Sequence, residues 1–487
     1  MKNLKKLVLL HSNDMHGDFL AENIDSSLVG GVSMLSGYVN KVRREEPNTI
    51  YAIAGDMFRG SVIDSEYQGI STIEIMNLLA PDVVTIGNHE ADYGLGQLLF
   101  IEKCAKFPII NANLFIRTGH NHLFQPYVIL RRDGMKILFI GIVTEEVLNK
   151  TKRDGMIGSF VDIDEAAAEI GRICDTYNAI DIDFTVLLTH IGYEEDKKLA
   201  AKLDPAWGVD VIIGGHSHTL LEKATEINGV QIVQAGIGTN QIGRFDIMVD
   251  TDRNCIDSFT WKTIPICAEN CPRDEEVESL ILNYKKATDE KYGRIVTRFT
   301  RELTHPSRTQ ETELGDLFAD ILQNALGLDV FFIGSGSIRS TKLGPVVRLS
   351  DFEECFPYDD AVFLVKVTGA QLKKMILFYL RDEAFEGDHT EFYQISGGLR
   401  LIYEKKEHTF REIKFGGADV DDSRIYSTGI QAFHYANFEK FFGLPQAEIE
   451  KNAAPRPVAT SCRSILEEVL SGSHLLDQKA DGRITIE

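Results

Sequence analysis

Residue types that bind metal ions recur in the first half of the chain, each time just after a short apolar run. The apolar runs are predicted to be buried strands, so these residues would stand at strand ends. They are Asp14 and His16 after LVLLHSN, Asp56 after YAIAG, Asn88 and His89 after VVTIG, His190 after TVLLT, and His216 and His218 after VIIGG. Ligands collect at the carboxyl ends of strands in α/β sheets, so the pattern predicts one shared site.

The donors in this set suit a pair of divalent cations. Imidazole nitrogens, carboxylates and an amide oxygen are ligands for Mn²⁺, Zn²⁺, Fe²⁺ or Co²⁺. Two such ions about 3.5–4 Å apart need a bridging carboxylate, and Asp56 is the candidate. The pair would lower the pKa of a bridging water and clamp a phosphoryl oxygen, which favours phosphate-ester hydrolysis. His89 would stabilise the leaving oxygen, with its ring oriented by Asp92 in GNHEADYG.

Each motif alone also has a structural explanation. A single strand-end histidine such as His190 is more often a packed core residue, and a single Gly-Asp pair is a common turn. Two histidines after paired glycines, as in GGHSH, are harder to explain by packing. Because all of these motifs occur together, a functional site is favoured over five unrelated structural roles.

The elements that must position these residues alternate along the first half of the chain. LKKLVLL, NTIYAIAG, PDVVTIG and KILFIGIV predict strands, whereas SMLSGYVNKVRREE and IDEAAAEIGRICDTYN repeat apolar residues at helical spacing. This alternation predicts an α/β domain. GVQIVQAG and GRFDIMVD are predicted to be antiparallel strands, which would make the sheet mixed.

The pattern changes near Asn270. PRDEEVESLILNYKKATDEKYG predicts one charged, amphipathic helix that begins at a Pro-Arg-Asp signal. We therefore divide the chain into a catalytic domain (1–270), a linker helix (271–297) and a smaller α/β C-terminal domain (298–487). A chain of 487 residues with 44% hydrophobic residues can bury the core that such domains need.

Charge and cysteine content restrict the class of partner. The formal net charge of −22 disfavours binding to a nucleic-acid polymer. No run approaches the length of a membrane span, and the basic N-terminus lacks a cleavage site for export. Seven scattered cysteines are typical of reduced thiols, so a cytoplasmic location is expected. The oligomeric state stays open.

Five blocks carry a resemblance to a known family: SNDMHGDF, AGDMFRGS, GNHEADYG, LTHIGYEED and IIGGHSHT. In this order and spacing they resemble the calcineurin-like metallophosphoesterases, specifically the 5′-nucleotidase, UDP-sugar hydrolase and 2′,3′-cyclic phosphodiesterase branch. The resemblance implies a four-layer α/β/β/α sandwich and a catalytic dyad of His89 and Asp92. It also implies two metal sites, one formed by Asp14, His16, Asp56 and His218 and the other by Asp56, Asn88, His190 and His216.

The second half resembles the C-terminal nucleotide-binding domain of the same family. IGSGSIRS corresponds to a glycine-rich loop that ends in a substrate-binding arginine, here Arg339. The resemblance places Tyr358 at an aromatic position that stacks on a base, and Phe433 is the candidate for the second aromatic. Packing between domains is the alternative role for both rings. Arg308 lies near a position where the family often has arginine, and Gly334 stands where it usually has asparagine.

The predicted function is hydrolysis of nucleotide phosphate esters by a hydroxide that bridges two metal ions. Arg339 and the aromatic pair would hold the substrate in a cleft between the domains. The alternatives are a 2′,3′-cyclic phosphodiesterase with 3′-nucleotidase activity, a nucleotide-sugar pyrophosphatase, a thiosulfate-ester hydrolase and a non-catalytic nucleotide-binding protein. The last is disfavoured because every ligand position holds a suitable donor.

Overall fold

The computed structural model describes residues 2–24, 27–116, 121–145, 157–160, 162–177, 182–385, 391–473 and 475–487. Its contacts divide the chain into two compact units, Met1–Thr288 and Asp289–Glu487. The division falls inside the segment predicted as a linker, 271–297. Each unit has its own sheets and its own hydrophobic core.

The strands of the first unit are β1 (Leu4–Ser12), β2 (Glu22–Ile24), β3 (Ser27–Val29), β4 (Thr49–Ala54), β5 (Val83–Thr85), β6 (Ile109–Ile110), β7 (Leu114–Ile116), β8 (Asn121–His122), β9 (Tyr127–Arg132), β10 (Met135–Val143), β11 (Ile157–Phe160), β12 (Phe184–His190), β13 (Val211–Ile213), β14 (Thr225–Ile227), β15 (Val230–Val233), β16 (Gln241–Asp250) and β17 (Cys255–Pro265). Its helices are α1 (Val32–Glu45), α2 (Val62–Glu66), α3 (Ile70–Leu79), α4 (Leu95–Cys104), α5 (Ile163–Tyr177), α6 (Tyr193–Lys202) and α7 (Glu275–Tyr292), the last of which continues past the division.

Two sheets of six described strands form the centre of this unit, in the orders β17-β16-β1-β4-β5-β6 and β14-β15-β13-β12-β10-β9. One core cluster joins them, because it contains Leu9 and Ile50 of the first sheet and Val186 and Ile213 of the second. The outer face of the first sheet packs on α1, α3 and α4, and that of the second packs on α5 and α6. The predicted α/β/β/α sandwich is therefore confirmed.

The strand directions match the sequence-based expectation only in part. The segment 241–250 is antiparallel to both neighbours, as predicted. The segment 230–233, which the sequence predicts to be antiparallel, runs parallel to β13 and is antiparallel only to β14. A four-residue apolar strand carries no signal of its direction, which depends on how the chain returns to the sheet.

The second unit contains β18 (Ile295–Arg298), β19 (Leu303–Thr304), β20 (Val330–Gly334), β21 (Lys342–Leu343), β22 (Val346–Arg348), β23 (Val362–Thr368), β24 (Tyr393–Ile395), β25 (Leu399–Glu404), β26 (Thr409–Phe415), β27 (Ala418–Asp419), β28 (Ile425–Gln431), β29 (Arg456–Ala459) and β30 (Ile484–Ile486). Its helices are α8 (Glu313–Leu326), α9 (Leu349–Cys355), α10 (Gly369–Tyr379), α11 (Ala432–Ala436), α12 (Phe438–Phe442), α13 (Gln446–Glu450) and α14 (Cys462–Ser471).

A five-stranded sheet, β24-β20-β28-β23-β29, separates two cores in this unit. Val330 and Phe332 of β20 enter one core, whereas Phe331 and Ile333 enter the other. This alternation is the expected period of two for a strand buried on both faces. Among the described helices of the chain, none is both long and apolar enough to span a lipid bilayer.

A buried arginine ties the C-terminal strand to this unit. The side chain of Arg483 is 2% exposed, and its Nη1 and Nη2 donate to the two carboxylate oxygens of Asp320 at 2.8 and 2.6 Å. It also donates to the Asp481 carboxylate and to the carbonyl oxygen of Ile395. A bidentate pair around a buried arginine is costly to break because the partner carboxylate loses its counter-charge.

We expect Arg483→Met to lower the free energy of unfolding of the second unit by about 3 kcal/mol. The control is Arg411→Met, because Arg411 pairs with Glu487 at the surface and its side chain is 51% exposed. That variant should lose at most about 1 kcal/mol. Hydrogen exchange of residues 313–326 in increasing urea measures both, and equal losses would contradict the role given to Arg483.

Candidate metal centre

The loops that follow the strands of the first unit adopt backbone conformations that are rare for residues other than glycine. Five of the predicted metal ligands have a positive φ, from 48° to 77°: Asp14, His16, Asp56, His216 and His218. Such conformations cost about 1–3 kcal/mol each and cluster at functional sites. The sequence therefore maintains strain at the positions that are predicted to bind metal.

Hydrogen bonds between the loops hold these conformations. The N–H of His16 donates to the carbonyl oxygen of Asp56 at 3.0 Å. The N–H of His216 donates to Oδ2 of Asp14 at 3.0 Å, and the N–H of His89 donates to Oδ1 of Asp56 at 2.9 Å. Asp14 thus joins strand ends of the two sheets, and Asp56 joins the loops after β4 and β5 of the first sheet.

One group of potential ligands consists of Asp14, His16 and His218, whose ligand atoms lie within 4.8 Å of one another. Oδ1 of Asp14 is 3.4 Å from Nε2 of His218 and 3.9 Å from Nε2 of His16. The two histidine Nε2 atoms are 3.1 Å apart. All four residues predicted for this metal meet here, because Nε2 of His16 is also 3.9 Å from Oδ2 of Asp56.

A second group consists of Asp56, His190 and His216, again with ligand atoms within 4.8 Å. Nε2 of His190 lies 3.1 Å from Oδ2 of Asp56. The predicted fourth ligand, Asn88, is also here, since its Oδ1 is 2.9 Å from Nδ1 of His216. Asp56 belongs to both groups, which is the position that a bridging carboxylate requires.

Histidine hydrogen bonding provides a test of whether these residues fit a cation. Nδ1 of His190 lies 2.8 Å from the carbonyl oxygen of Ala54, so Nδ1 donates there and Nε2 is the ring atom that faces the site. That buried Nε2 lies 3.1 Å from Oδ2 of Asp56 and 3.9 Å from Oδ1 of Asp14. Nδ1 of His16 likewise faces the carbonyl oxygen of Phe58, at 3.3 Å, and leaves Nε2 for the site. Imidazole Nε2 atoms that converge on carboxylates, with Nδ1 held by a backbone carbonyl, fit divalent cations, which displace the Nε2 proton on binding.

The electrostatics of the site point the same way. Burial alone would lower the pKa of His190, but the charges of Asp56 and Asp14 raise it to about 9. Burial opposes ionisation of Asp56, yet His190 and the His89 N–H hold its pKa well below the usual range. The site therefore stabilises positive charge beside Asp56.

Glu90 contacts both ligand-bearing loops, and the sequence analysis does not single it out. Its carboxylate accepts backbone N–H groups of Asp56 at 3.0 Å, Met57 at 2.7 Å and Gly87 at 2.5 Å. It thereby joins the loop that carries Asp56 to the loop that carries Asn88. Burial and the charge of Asp56 raise the pKa of Glu90 to about 7. Its position in the motif GNHEADYG does not reveal this role, because the three N–H groups that it accepts are known only from the tertiary structure.

His89 and Asp92, the two residues of the predicted dyad, are in hydrogen-bond contact, and Asp92 has an additional partner. Nδ1 of His89 lies 2.8 Å from Oδ2 of Asp92, whose side chain is buried. Nε of Arg59, another missed residue, donates to the same oxygen at 2.6 Å. The N–H of Arg59 donates to Asp64, which also accepts the hydroxyl of Tyr93. These contacts fix a half-exposed guanidinium beside the dyad.

The four substrate-binding residues predicted in the second unit line one pocket of about 330 Å³. Its lining consists of Arg308, Gly336, Ser337, Arg339, Tyr358, Asp360, Glu391, Phe433 and His434. The rings of Tyr358 and Phe433 are 47% and 55% exposed, which is unusual for large aromatic residues. The guanidinium carbon of Arg339 lies 6.0 Å from the Tyr358 ring centroid. The role of these residues in binding stays a prediction.

Both units match families of known proteins. Residues 7–220 match the family described as calcineurin-like phosphoesterase, and residues 289–443 match the 5′-nucleotidase C-terminal domain. The 5′-nucleotidase of Mus musculus is 26% identical over 446 residues, covering 82% of this chain and 75% of that protein. The trifunctional nucleotide phosphoesterase protein YfkN of Bacillus subtilis is 26% identical over 466 residues, covering 86% of this chain and 30% of that protein. A crystal structure of a 5′-nucleotidase precursor from Thermus thermophilus has the same fold, with a TM-score of 0.58, 22% identity and 99% coverage of both chains.

We expect Glu90→Gln to weaken binding of Mn²⁺ about 10- to 100-fold, because an amide group cannot accept all three backbone N–H bonds that position Asp56. Calorimetric titration of metal-free protein measures the affinity. Glu276→Gln, on the exposed face of α7, is the matched control. Unchanged affinity in the Glu90 variant would contradict the role given to this carboxylate.

Proposed function

This chain belongs to the calcineurin-like phosphoesterases that carry a 5′-nucleotidase C-terminal domain, and we propose that it hydrolyses phosphate monoesters of nucleotides at the metal centre of its first unit. The observation that carries the proposal is the convergence of seven residues with suitable donor atoms around the carboxylate of Asp56, which is one of the seven and lies 3.1 Å from Nε2 of His190. The seven donors are those of Asp14, His16, Asp56, Asn88, His190, His216 and His218.

Asp14, His16, Asp56 and His218 would hold one divalent ion, and Asp56, Asn88, His190 and His216 would hold the other. Bound there, Mn²⁺, Zn²⁺, Fe²⁺ or Co²⁺ would supply the Lewis-acid charge that activates water and neutralises phosphoryl oxygens. Asp56 orders the site by accepting the His89 N–H and by facing His190.

His89 serves the leaving oxygen in this proposal. Asp92 engages Nδ1 of the ring, so Nε2 is left to donate a proton or a hydrogen bond to the substrate. Because Asp92 is buried and also bonded to Arg59, the ring of His89 is oriented before substrate binds. The leaving group of a nucleotide is a sugar alkoxide, which needs such stabilisation.

The pocket of the second unit would hold the nucleoside part of the substrate. Tyr358 and Phe433 offer exposed ring faces on which a base can stack. Arg308 and Arg339 line the same pocket and can bind anionic oxygens. The names of the relatives, 5′-nucleotidase and nucleotide phosphoesterase, support a nucleotide substrate.

A second candidate activity is cleavage of a nucleotide diphosphate bond, as in a nucleotide-sugar pyrophosphatase. Arg59 favours this second activity. Its Nε donates to Asp92, and its guanidinium forms no other hydrogen bond among the described residues. Its remaining donors would suit a second phosphate. Products from UDP-glucose and from 2′,3′-cyclic, 3′- and 5′-nucleotides distinguish these activities and the cyclic phosphodiesterase alternative.

The proposal also includes a cytoplasmic location and excludes a purely binding role. All seven cysteines are free thiols, which supports a reducing, cytoplasmic location. A non-catalytic binding role is disfavoured, because both the ligand set and the His89–Asp92 pair are intact.

We expect His89→Ala to lower kcat on nucleoside 5′-monophosphates by about 10²–10⁴-fold, because the alkoxide loses its stabilising donor. The loss on p-nitrophenyl phosphate should be far smaller, since p-nitrophenolate is a good leaving group. Both activities should require added divalent metal after chelation. Steady-state kinetics of the two substrates give the comparison.

The control is His408→Ala, at an exposed turn of the second unit. An equal loss on both substrates would contradict the role of His89 at the leaving oxygen. If the metal-loaded wild type hydrolysed neither substrate, the proposed function would be wrong.

A further inference from the structure

The pocket of the second unit contains a carboxylate that the proposed function leaves without a role. Glu391 lines this pocket together with Tyr358 and Phe433. Its Oε1 accepts the N–H of Gly336, at 2.7 Å, from the turn that follows β20. Among the described residues, no other hydrogen bond or ion pair holds this carboxylate. One oxygen is therefore fixed by the backbone, and the other keeps its acceptor capacity for a ligand.

The start of the glycine-rich loop, at Gly334, leaves no space for the asparagine side chain that the family usually has there. A Cβ at Gly334 would lie 2.4 Å from Cε1 of His434 and 3.0 Å from Oε1 of Glu391. The ring of His434 is 3% exposed and packs edge-on against Tyr393 and Phe433. Burial lowers the pKa of His434 to about 4, so the ring is neutral near pH 7. Beside Gly334, the carboxylate that lines the pocket is Glu391.

The charge environment of Glu391 is mixed but leaves it an acceptor. Burial raises the pKa of Glu391, whereas the Gly336 N–H and the nearby charge of Arg308 oppose the rise. The pocket also contains Asp360, whose pKa is raised by burial and by Asp359. Oε1 already acts as an acceptor, for the Gly336 N–H, and in its ionised form this carboxylate can only accept hydrogen bonds. A base bound here is therefore selected by the donors that it presents.

The nucleobases differ in the hydrogen-bond donors that they present on one edge. Guanine presents N1–H and the N2 amino group side by side on one edge. Adenine and cytosine place a ring-nitrogen acceptor beside their amino group, and that lone pair would face the carboxylate. Uracil has one ring N–H between two carbonyl oxygens. Only guanine offers two adjacent donors to a carboxylate.

We infer that Glu391 selects guanine nucleotides by accepting hydrogen bonds from the N1–H and N2–H groups of a base stacked in this pocket. The inference rests on the proposed function, because it takes the pocket to be the nucleoside site. It makes Glu391 a specificity-determining residue that lies outside the metal centre. Hypoxanthine, which keeps N1–H but lacks the amino group, should be intermediate between guanine and adenine.

The test compares GMP, IMP and AMP with the full-length wild-type chain, Glu391→Gln and the surface control Glu407→Gln. Each kcat/KM is divided by the rate on p-nitrophenyl phosphate in the same preparation, so that differences in the folded fraction cancel. Wild type and the control should prefer GMP over AMP by about 10- to 100-fold, with IMP between them. In Glu391→Gln the ratio of GMP to AMP should fall to within about threefold of unity, since an amide accepts and donates equally well.

Binding separates this inference from the proposed function. Calorimetry of GMP and AMP with metal-free protein measures base selection without hydrolysis. A GMP preference that disappears in Glu391→Gln supports the inference even if no nucleotide is hydrolysed, in which case only the proposed function fails. Equal binding of GMP and AMP to wild type, a preference for AMP, or an unchanged preference in Glu391→Gln would overturn the inference.

Discussion

The carboxylate of Asp56 is the feature on which the geometry of the metal centre depends. Its backbone N–H is held by Glu90, its Oδ1 accepts the N–H of His89, and its Oδ2 lies 3.1 Å from Nε2 of His190. These contacts reach residues from both sheets, so Asp56 fixes the two sheets to one another at their carboxyl ends. The backbone of Asp56 is left-handed, with a φ of 54°, and these hydrogen bonds offset the cost of that conformation.

The same arrangement explains how an acidic chain builds a site for an anionic substrate. A net charge of −22 repels phosphate esters at long range. Locally, carboxylates and imidazoles converge where cations would neutralise them, and Arg59 adds a positive group beside Asp92. In the second unit, Arg308 and Arg339 supply positive charge while Glu391 and Asp360 supply acceptors. Electrostatic attraction for an anionic substrate is thus confined to the metal centre and to the pocket of the second unit.

Much of the fold and the ligand set is predictable from the sequence, because apolar strands followed by metal-binding residues recur in order. The sequence does not show contacts that depend on tertiary hydrogen bonding. Glu90 and Arg59 stand inside quoted motifs, yet their partners are backbone N–H groups and a buried aspartate that no spacing reveals. Glu391 meets Gly336 across 55 positions. The parallel direction of the strand at 230–233 is not evident from the sequence either, because it depends on the path by which the chain re-enters the sheet.

The central proposal is that Asp56 would bridge two metal ions in one site. Electron paramagnetic resonance of metal-free protein titrated with Mn²⁺ tests it most directly, because two ions that share a carboxylate are magnetically coupled. The account predicts about two equivalents of bound Mn²⁺ and a spin-coupled signal that is lost in Asp56→Asn. A single equivalent with an uncoupled, six-line signal, or a coupled signal that survives in Asp56→Asn, would contradict it.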